Sequence, residues 1–493
     1  MTRIDCDLAV LGSGFGGTLL AVVARALGLS VVVIERGTHP RFAIGESSTP
    51  LADFKLARIA DRFGLDWLRP LAKYGPWKAT YPHLICGLKR GFSFFRHRPG
   101  EVFTPAEGNT NALLVAASPT DATADTHWYR PDFDAHLVER AYGAGAHYLD
   151  RCEVHTLRHA IRGWVVEGTR PHGAVTVRAD LLVDATGTGQ ALAEALKLEA
   201  VDPAALRTRS RGLYSHFRGV ARWHDVLGPA ATADHPFPCD AAALHHVIDG
   251  GWMWVLRFEN GITSAGFSLD PDRHPIRPGE SPDAEWRRLL DTYPSLAKQF
   301  AAAEPTMPLV RTGRLQRRLT RAAGPDWALL PHTAGFLDAW LSPGIAQTLY
   351  AVNRLANILA DPASRERRLA AYGDAVLREL AWVDEITGTC FACLDRFPVL
   401  ATAVMVYFTA AIYCEERERR GEAGPDEGFL LADHPEYRAL AARLFAEALT
   451  TPAADADRFL NAAHRALEPY NSCGLCDAGR RNMYPYTASI PKS

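Results

Sequence analysis

Hydrophobic positions at the start of the chain change period twice. Residues 7–11 are apolar and β-rich, residues 15–27 carry an Ala/Leu helical pattern, and residues 29–35 (LSVVVIE) form a nearly unbroken β-branched run. A run without alternation is buried on both faces, so the order strand, Gly-rich turn, helix, parallel strand is predicted. Alternating aromatic and β-branched residues from about 81 to 95 and from 214 to 267 predict antiparallel strands. A second apolar strand, 181–185, ends in Thr186-Gly187, and from about residue 345 Ala, Leu, Arg and Glu predict helix after helix. A turn-rich stretch, 469–493, follows. The fold class read from this order is α/β. Residues 1–360 form a core into which an antiparallel sheet is inserted (about 76–130 and 205–315), and 361–493 form a helical region.

Composition narrows the class without changing it. With 493 residues, 47% of them hydrophobic, the chain can bury two or three packed units. A formal net charge of -2 and a pI near 6.8 supply no overall basic field for nucleic acid. Nine Cys are too sparse for a disulfide scaffold, and residues 1–10 lack the charged and apolar regions of a signal peptide, so a cytoplasmic location is expected. The apolar stretch 398–413 is shorter than the roughly 20 residues a spanning helix needs, which predicts a buried helix and no stable membrane insertion. Two C-x-x-C pairs, Cys390/Cys393 and Cys473/Cys476, lie too far apart for a zinc ribbon and are expected to be buried thiols, with no metal site.

Gly12, Gly14 and Gly17 give G-x-G-x-x-G between the predicted strand and helix. The first glycine permits a tight turn, the second lets a pyrophosphate reach the backbone, and the third lets helix and strand pack closely. Glu35, ending the next strand, can accept from ribose hydroxyls, with Arg36 beside it as a further cofactor contact. FAD is favoured over NAD by Asp184-Ala185-Thr186-Gly187 closing a strand and by Arg130 preceding Asp132, Phe133, Asp134 and Leu137. No second G-x-G-x-x-G unit is evident.

Four further segments specify more. Pro40-Arg41-Phe42 leads into Gly45-Glu46-Ser47-Ser48-Thr49-Pro50; His246 to Trp254 reads HVIDGGWMW; Gly335-Phe336-Leu337-Asp338 precedes Ser342-Pro343-Gly344-Ile345; and Cys86 to Phe94 reads CGLKRGFSF. In this order they resemble the motifs of the flavin-dependent halogenases, the last being most similar to phenolic halogenases such as those acting on phloroglucinol. The likeness runs to about residue 360 and is loose beyond it. It implies the two-domain flavin monooxygenase fold, with a Rossmann-like FAD-binding unit and an interleaved substrate sheet. It implies a two-component oxidoreductase of secondary metabolism that receives FADH2 from a separate flavin reductase and acts on an aromatic, phenolic small molecule. In such enzymes a C4a-hydroperoxide of the flavin is attacked by chloride or bromide, and the hypohalous acid travels to a lysine, here Lys89. Gly45, Glu46, Asp338, Ser342, Pro343, Gly344 and Ile345 would surround the ring and the halide. Trp252 and Trp254, alternating on one strand and so sharing a face, would separate flavin from substrate, although core packing is the common fate of such residues. His246 is a further catalytic candidate.

Two positions depart from the family pattern. Val255-Leu256-Arg257 replaces an Ile-Pro ending, and Arg257 is expected to reach the passage between the sites or an anionic substrate. Pro343 has no N–H at a position where the family's halide site uses one, a loss worth roughly 1–3 kcal/mol. These departures raise an alternative, a flavin monooxygenase transferring oxygen directly, and a third reading, a redox-sensing flavoprotein without turnover.

Overall fold

A computed structural model describes residues 2–161 and 163–485; residues 486–493 of the turn-rich stretch lie outside the described residues. The first strand, β1 (Thr2–Leu11), is followed by helix α1 (Phe15–Ala26) and strand β2 (Val31–Ile34), in the order the periodicity predicts. β1 pairs in parallel with β2 on one side and with Gly173–Asp184 on the other. His147–Leu149 and Trp327–Leu329 extend the parallel sheet at its two ends. The four residues of β2 are all buried, which is why this stretch shows no alternation.

The second sheet is mostly antiparallel. Arg211–Arg218, Thr263–Leu269, Gly251–Arg257, Ala243–Ile248, Gly91–Arg96 and Ala112–Ala116 lie side by side in that order. Its register sets two faces. Phe92, Phe94, Val247 and Trp252 point into the main core with the nucleotide-binding unit, whereas Phe95, Leu244, Met253 and Val255 point into a second core behind the sheet. The strand period of two makes that division.

Helices follow from residue 343: Pro343–Leu359, Arg365–Ala392, Phe397–Arg419, Pro435–Thr450 and Ala456–Leu467. Phe397–Arg419 is long and apolar enough to cross a membrane, yet 89% of its apolar window is buried inside the protein. Val404 and Phe408 from this helix belong to the same core as β1 and β2, so its apolarity is spent on packing. The chain then returns to place Met483–Tyr484 as a parallel strand beside Ala112–Ala116. Two residues are too few to show a period, so the sequence pattern held no sign of it.

Candidate active site

The glycines of the first turn differ in what surrounds them. A Cβ on Gly12, whose φ is +92°, would sit 2.7 Å from Ala185 O, and one on Gly17 would sit 2.5 Å from Gly12 O. A Cβ on Gly14 would meet only Arg130 Nη2 at 3.8 Å. The backbone is therefore crowded on the protein side and open at the second glycine. α1 starts there with no side-chain cap, leaving first-turn N–H groups for a phosphate. Glu35 accepts from the Ser13 N–H at 3.0 Å, the Ser13 hydroxyl at 2.9 Å and the Gly37 N–H at 2.7 Å. Burial opposes its charge, but these donors and Arg41 outweigh it and hold the carboxyl below its ordinary range. Arg36 beside it is exposed. Buried Arg130 forks onto Asp134 through Nε and Nη2, both at 2.8 Å, and donates through Nη1 to Ile44 O at 3.0 Å and Gly45 O at 2.9 Å. A dinucleotide with a pyrophosphate and a ribose fits this cradle.

Arg130 thereby pins one end of a strap, residues 45–50, whose other end reaches a second pocket. His216 Nε2 lies 2.7 Å from Glu46 Oε1, the Trp128 N–H donates to Glu46 O at 2.6 Å, and the Ser48 N–H donates to Thr126 O at 3.0 Å. Lys89, fully buried, donates from Nζ to Ser48 O and lies 4.1 Å above the Phe92 ring. Burial pulls its amine down to about 8; Asp125 and Asp53 work against this, and Lys73 adds to it. Those two carboxylates are already engaged by Lys73, at 2.9 and 2.7 Å. Lys89 thus rests on a neutral carbonyl, and burial without a carboxylate of its own keeps the amine low. Gly45 and Ser48 are three residues apart, so their Cα atoms are separated by at most about 11 Å.

An aromatic wall runs from His245, 6.0 Å from Phe92, to Trp254, 5.9 Å from Tyr214. Trp252 and Trp254 lie 5.8 Å apart on one face, with Trp340 5.1 Å from Trp252. His245 sits on this face, 4.5 Å from Phe94 and 5.1 Å from Trp252, and burial holds it neutral, down to about 3. The following loop is anchored by Asp338, which accepts from Ser210 Oγ at 2.6 Å, Ser268 Oγ at 2.7 Å and the Trp340 N–H at 3.0 Å. Leu341 and Ser342 then adopt left-handed φ values of 63° and 55°, a strained turn that these anchors support. Pro343 begins the helix Pro343–Leu359. At this first helical position a missing N–H costs the helix nothing, and no side chain caps the turn. The N–H groups of Gly344 and Ile345, the next two positions, remain available to an anion. His332 packs beneath Gly344, held neutral by burial at about 4.

Gly45, Glu46, Trp252, Trp254, Asp338, Ser342, Pro343, Gly344 and Ile345 lie on this strap, wall and loop, and Lys89, ending the strand Cys86–Lys89, bonds the strap. His246 does not join them: its Nδ1 is 2.9 Å from His97 Nε2 and its ring packs 4.7 Å from Trp223, behind the sheet. Adjacent strand residues point to opposite faces, so His245 is the histidine at the wall. Its alternation with the tryptophans across the Gly-Gly turn was a signal for this. Arg257 reaches neither the passage nor a substrate, because it bonds Asp240 at 3.0 Å and Val220 O at 3.0 Å. Sequence reasoning missed Tyr407, Phe408 and Glu415 and gave Thr49 of the strap no role of its own; all four line a cavity beside Phe92 with about 20 Å³ of room for water. Among the described residues no group of three or more His, Cys, Asp or Glu is placed to hold a metal ion.

An FAD-type nucleotide cradle joined by a short strap to a buried lysine fits a flavoprotein oxidoreductase. The family profile described as "Tryptophan halogenase" matches residues 121–396. The chain is 30% identical to the tetracycline 7-halogenase of Kitasatospora aureofaciens, over 88% of this chain and 79% of that protein. It is 28% identical to the monodechloroaminopyrrolnitrin halogenase PrnC of Pseudomonas fluorescens, over 96% and 87%. In fold it is similar to the crystal structure of the halogenase PltM in complex with phloroglucinol and FAD, with a TM-score of 0.86 and 23% identity, covering 98% of this chain and 100% of that one. The chain belongs to the tryptophan halogenase family, the flavin-dependent halogenases, and is an oxidoreductase whose cofactor is FAD. The direct oxygen-transfer alternative raised by Pro343 is not favoured. Proline sits at the one helix position where its missing donor is tolerated, and two first-turn donors follow it.

Proposed function

We propose that the protein chlorinates or brominates a phenolic small molecule by way of hypohalous acid, with FADH2 delivered by a separate flavin reductase. The observation that carries this reading is Lys89, a buried amine lowered to about 8 at the far end of a strap whose near end is held by Arg130. Bound reduced flavin would activate dioxygen, which is the oxidant that converts halide to hypohalous acid. The first-turn N–H groups of Gly344 and Ile345 would hold the halide. The wall of Trp252, Trp254 and Trp340 keeps the organic substrate from the ring while leaving a small oxidant a short path. Lys89 Nζ receives it, orienting it as an ammonium or carrying the halogen as a neutral amine. The Phe92 ring below Nζ offers a stacking surface for an aromatic substrate. A phenol is favoured because the fold neighbour PltM is seen with phloroglucinol.

The test is a reconstituted reaction: FAD-loaded protein, a flavin reductase, NADH, bromide or chloride, and phloroglucinol, with products read by mass spectrometry. A halogenated ring is expected only with halide and reductase both present. A hydroxylated, halogen-free product would sink the proposal. Rapid NADH oxidation by the chain alone would remove the two-component part of it.

A further inference from the structure

The face of the helix Phe397–Arg419 that closes the cavity carries Phe408, Ala411, Ile412 and Glu415, at steps of three and four residues. The stripe is apolar until its last member. Opposite it stand Phe92, below Lys89, and Thr49, next to the strap residue that Lys89 grips. Other polar groups nearby are already spoken for. Tyr407 donates its hydroxyl to Leu341 O at 2.9 Å; Glu416 accepts from Ser472; and Glu418 holds Lys55 and, at 3.2 Å, Arg58. Glu415 is only 3% exposed and lines the cavity, with no hydrogen bond to its carboxylate from the described residues. The Thr49 hydroxyl, also buried, has no partner either.

A carboxyl removed from water without a donor is costly, and buried polar groups of folded proteins are otherwise paired. Burial pushes Glu415 up to about 8; Asp125 and Glu416 add to this, while Arg419 and Lys73 oppose it. A donor brought by a ligand would relieve that cost. We infer that Glu415 is the acceptor for a ring hydroxyl of the substrate, with the Thr49 hydroxyl as its second polar contact, so that the pocket selects aromatic rings bearing an O–H. This rests on the phenolic reading above. Accepting from the ring O–H also pushes electron density into the ring, which favours attack on an electrophilic halogen near Lys89. The cavity's room suits one water, so entry of a ring requires lining side chains such as Phe408 and Ile412 to be displaced.

The experiment compares binding of phloroglucinol with that of 1,3,5-trimethoxybenzene, which lacks O–H donors, by calorimetry on the FAD-loaded protein. Wild type is expected to prefer phloroglucinol. Glu415→Leu should lower phloroglucinol affinity about tenfold to a hundredfold, the range of a lost buried hydrogen bond, and leave trimethoxybenzene unchanged. Glu415→Gln, which keeps an acceptor oxygen, should recover most of the preference. Should the leucine variant lose its flavin, Thr49→Val carries the same comparison with a smaller effect. An unchanged preference in a folded Glu415→Leu protein would overturn the assignment while leaving the phenolic reading intact. Wild type that binds neither ring would overturn both.

Discussion

Replacing Lys89 by methionine, of similar length, separates a structural lysine from a functional one. In the folded protein the amine titrates near 8, against an ordinary 10.5. About one molecule in ten therefore carries a neutral amine at pH 7, compared with roughly one in three thousand for an ordinary lysine. A fall from 10.5 to about 8 means that burying this group weakens the fold by about 3 kcal/mol at pH 7. The unfolded chain holds the proton up to about 10.5 whereas the folded chain releases it near 8. Unfolding therefore takes up a proton between those values, and wild-type stability should rise with pH across that window. Methionine removes the penalty but strands Ser48 O, at roughly 1–3 kcal/mol. The net expectation is a variant as stable as wild type at pH 7 or more so, with the difference shrinking towards pH 10. Halogenation should fall by about 10²–10⁴, the range of a positioned proton-transfer group. Denaturant unfolding at pH 7 and 9.5 and product yield by mass spectrometry are the assays. A methionine variant that is clearly less stable yet still halogenates would refute the reasoning, since Lys89 would then be a core residue with no chemical task. The wild-type rate profile adds a second reading: a rise through pH 8 marks the neutral amine as the working form, and a fall marks the ammonium.

Gly17→Ala should lose FAD and about 1–3 kcal/mol of stability, because its Cβ would lie 2.5 Å from Gly12 O and 2.8 Å from Ala185 Cβ; flavin absorbance per protein and a melting curve check this, and full flavin loading would contradict it. Pro343→Ala restores a first-turn N–H and should lower the KM for bromide by up to about tenfold without changing the fold; an unchanged or raised KM would show that this position does not face the halide.

The nucleotide-binding unit was legible in the chain because each of its features is local. A fully buried β2 shows as an unbroken apolar run, and three glycines stand at fixed spacing in one strand-to-helix turn. The strap, the tryptophan strand and the loop before Pro343 were legible as short motifs for the same reason. Even the choice between His245 and His246 was present in the strand's alternation. Other features depended on what the chain brings together over long distances. Arg257 faced an undefined passage until folding placed Asp240 and Val220 O around it. The lowering of Lys89 comes from full burial and from Lys73 claiming both nearby carboxylates, neither of which its own segment encodes. The length of the apolar stretch 398–413 predicted a buried helix, but what it packs against, the core shared with the nucleotide-binding unit, only the fold decides. That packing sets Glu415, more than 300 residues from Lys89 in sequence, on the wall of the pocket. Periodicity and motif spacing record what a residue does within its own element; burial and charge pairing belong to the assembled fold.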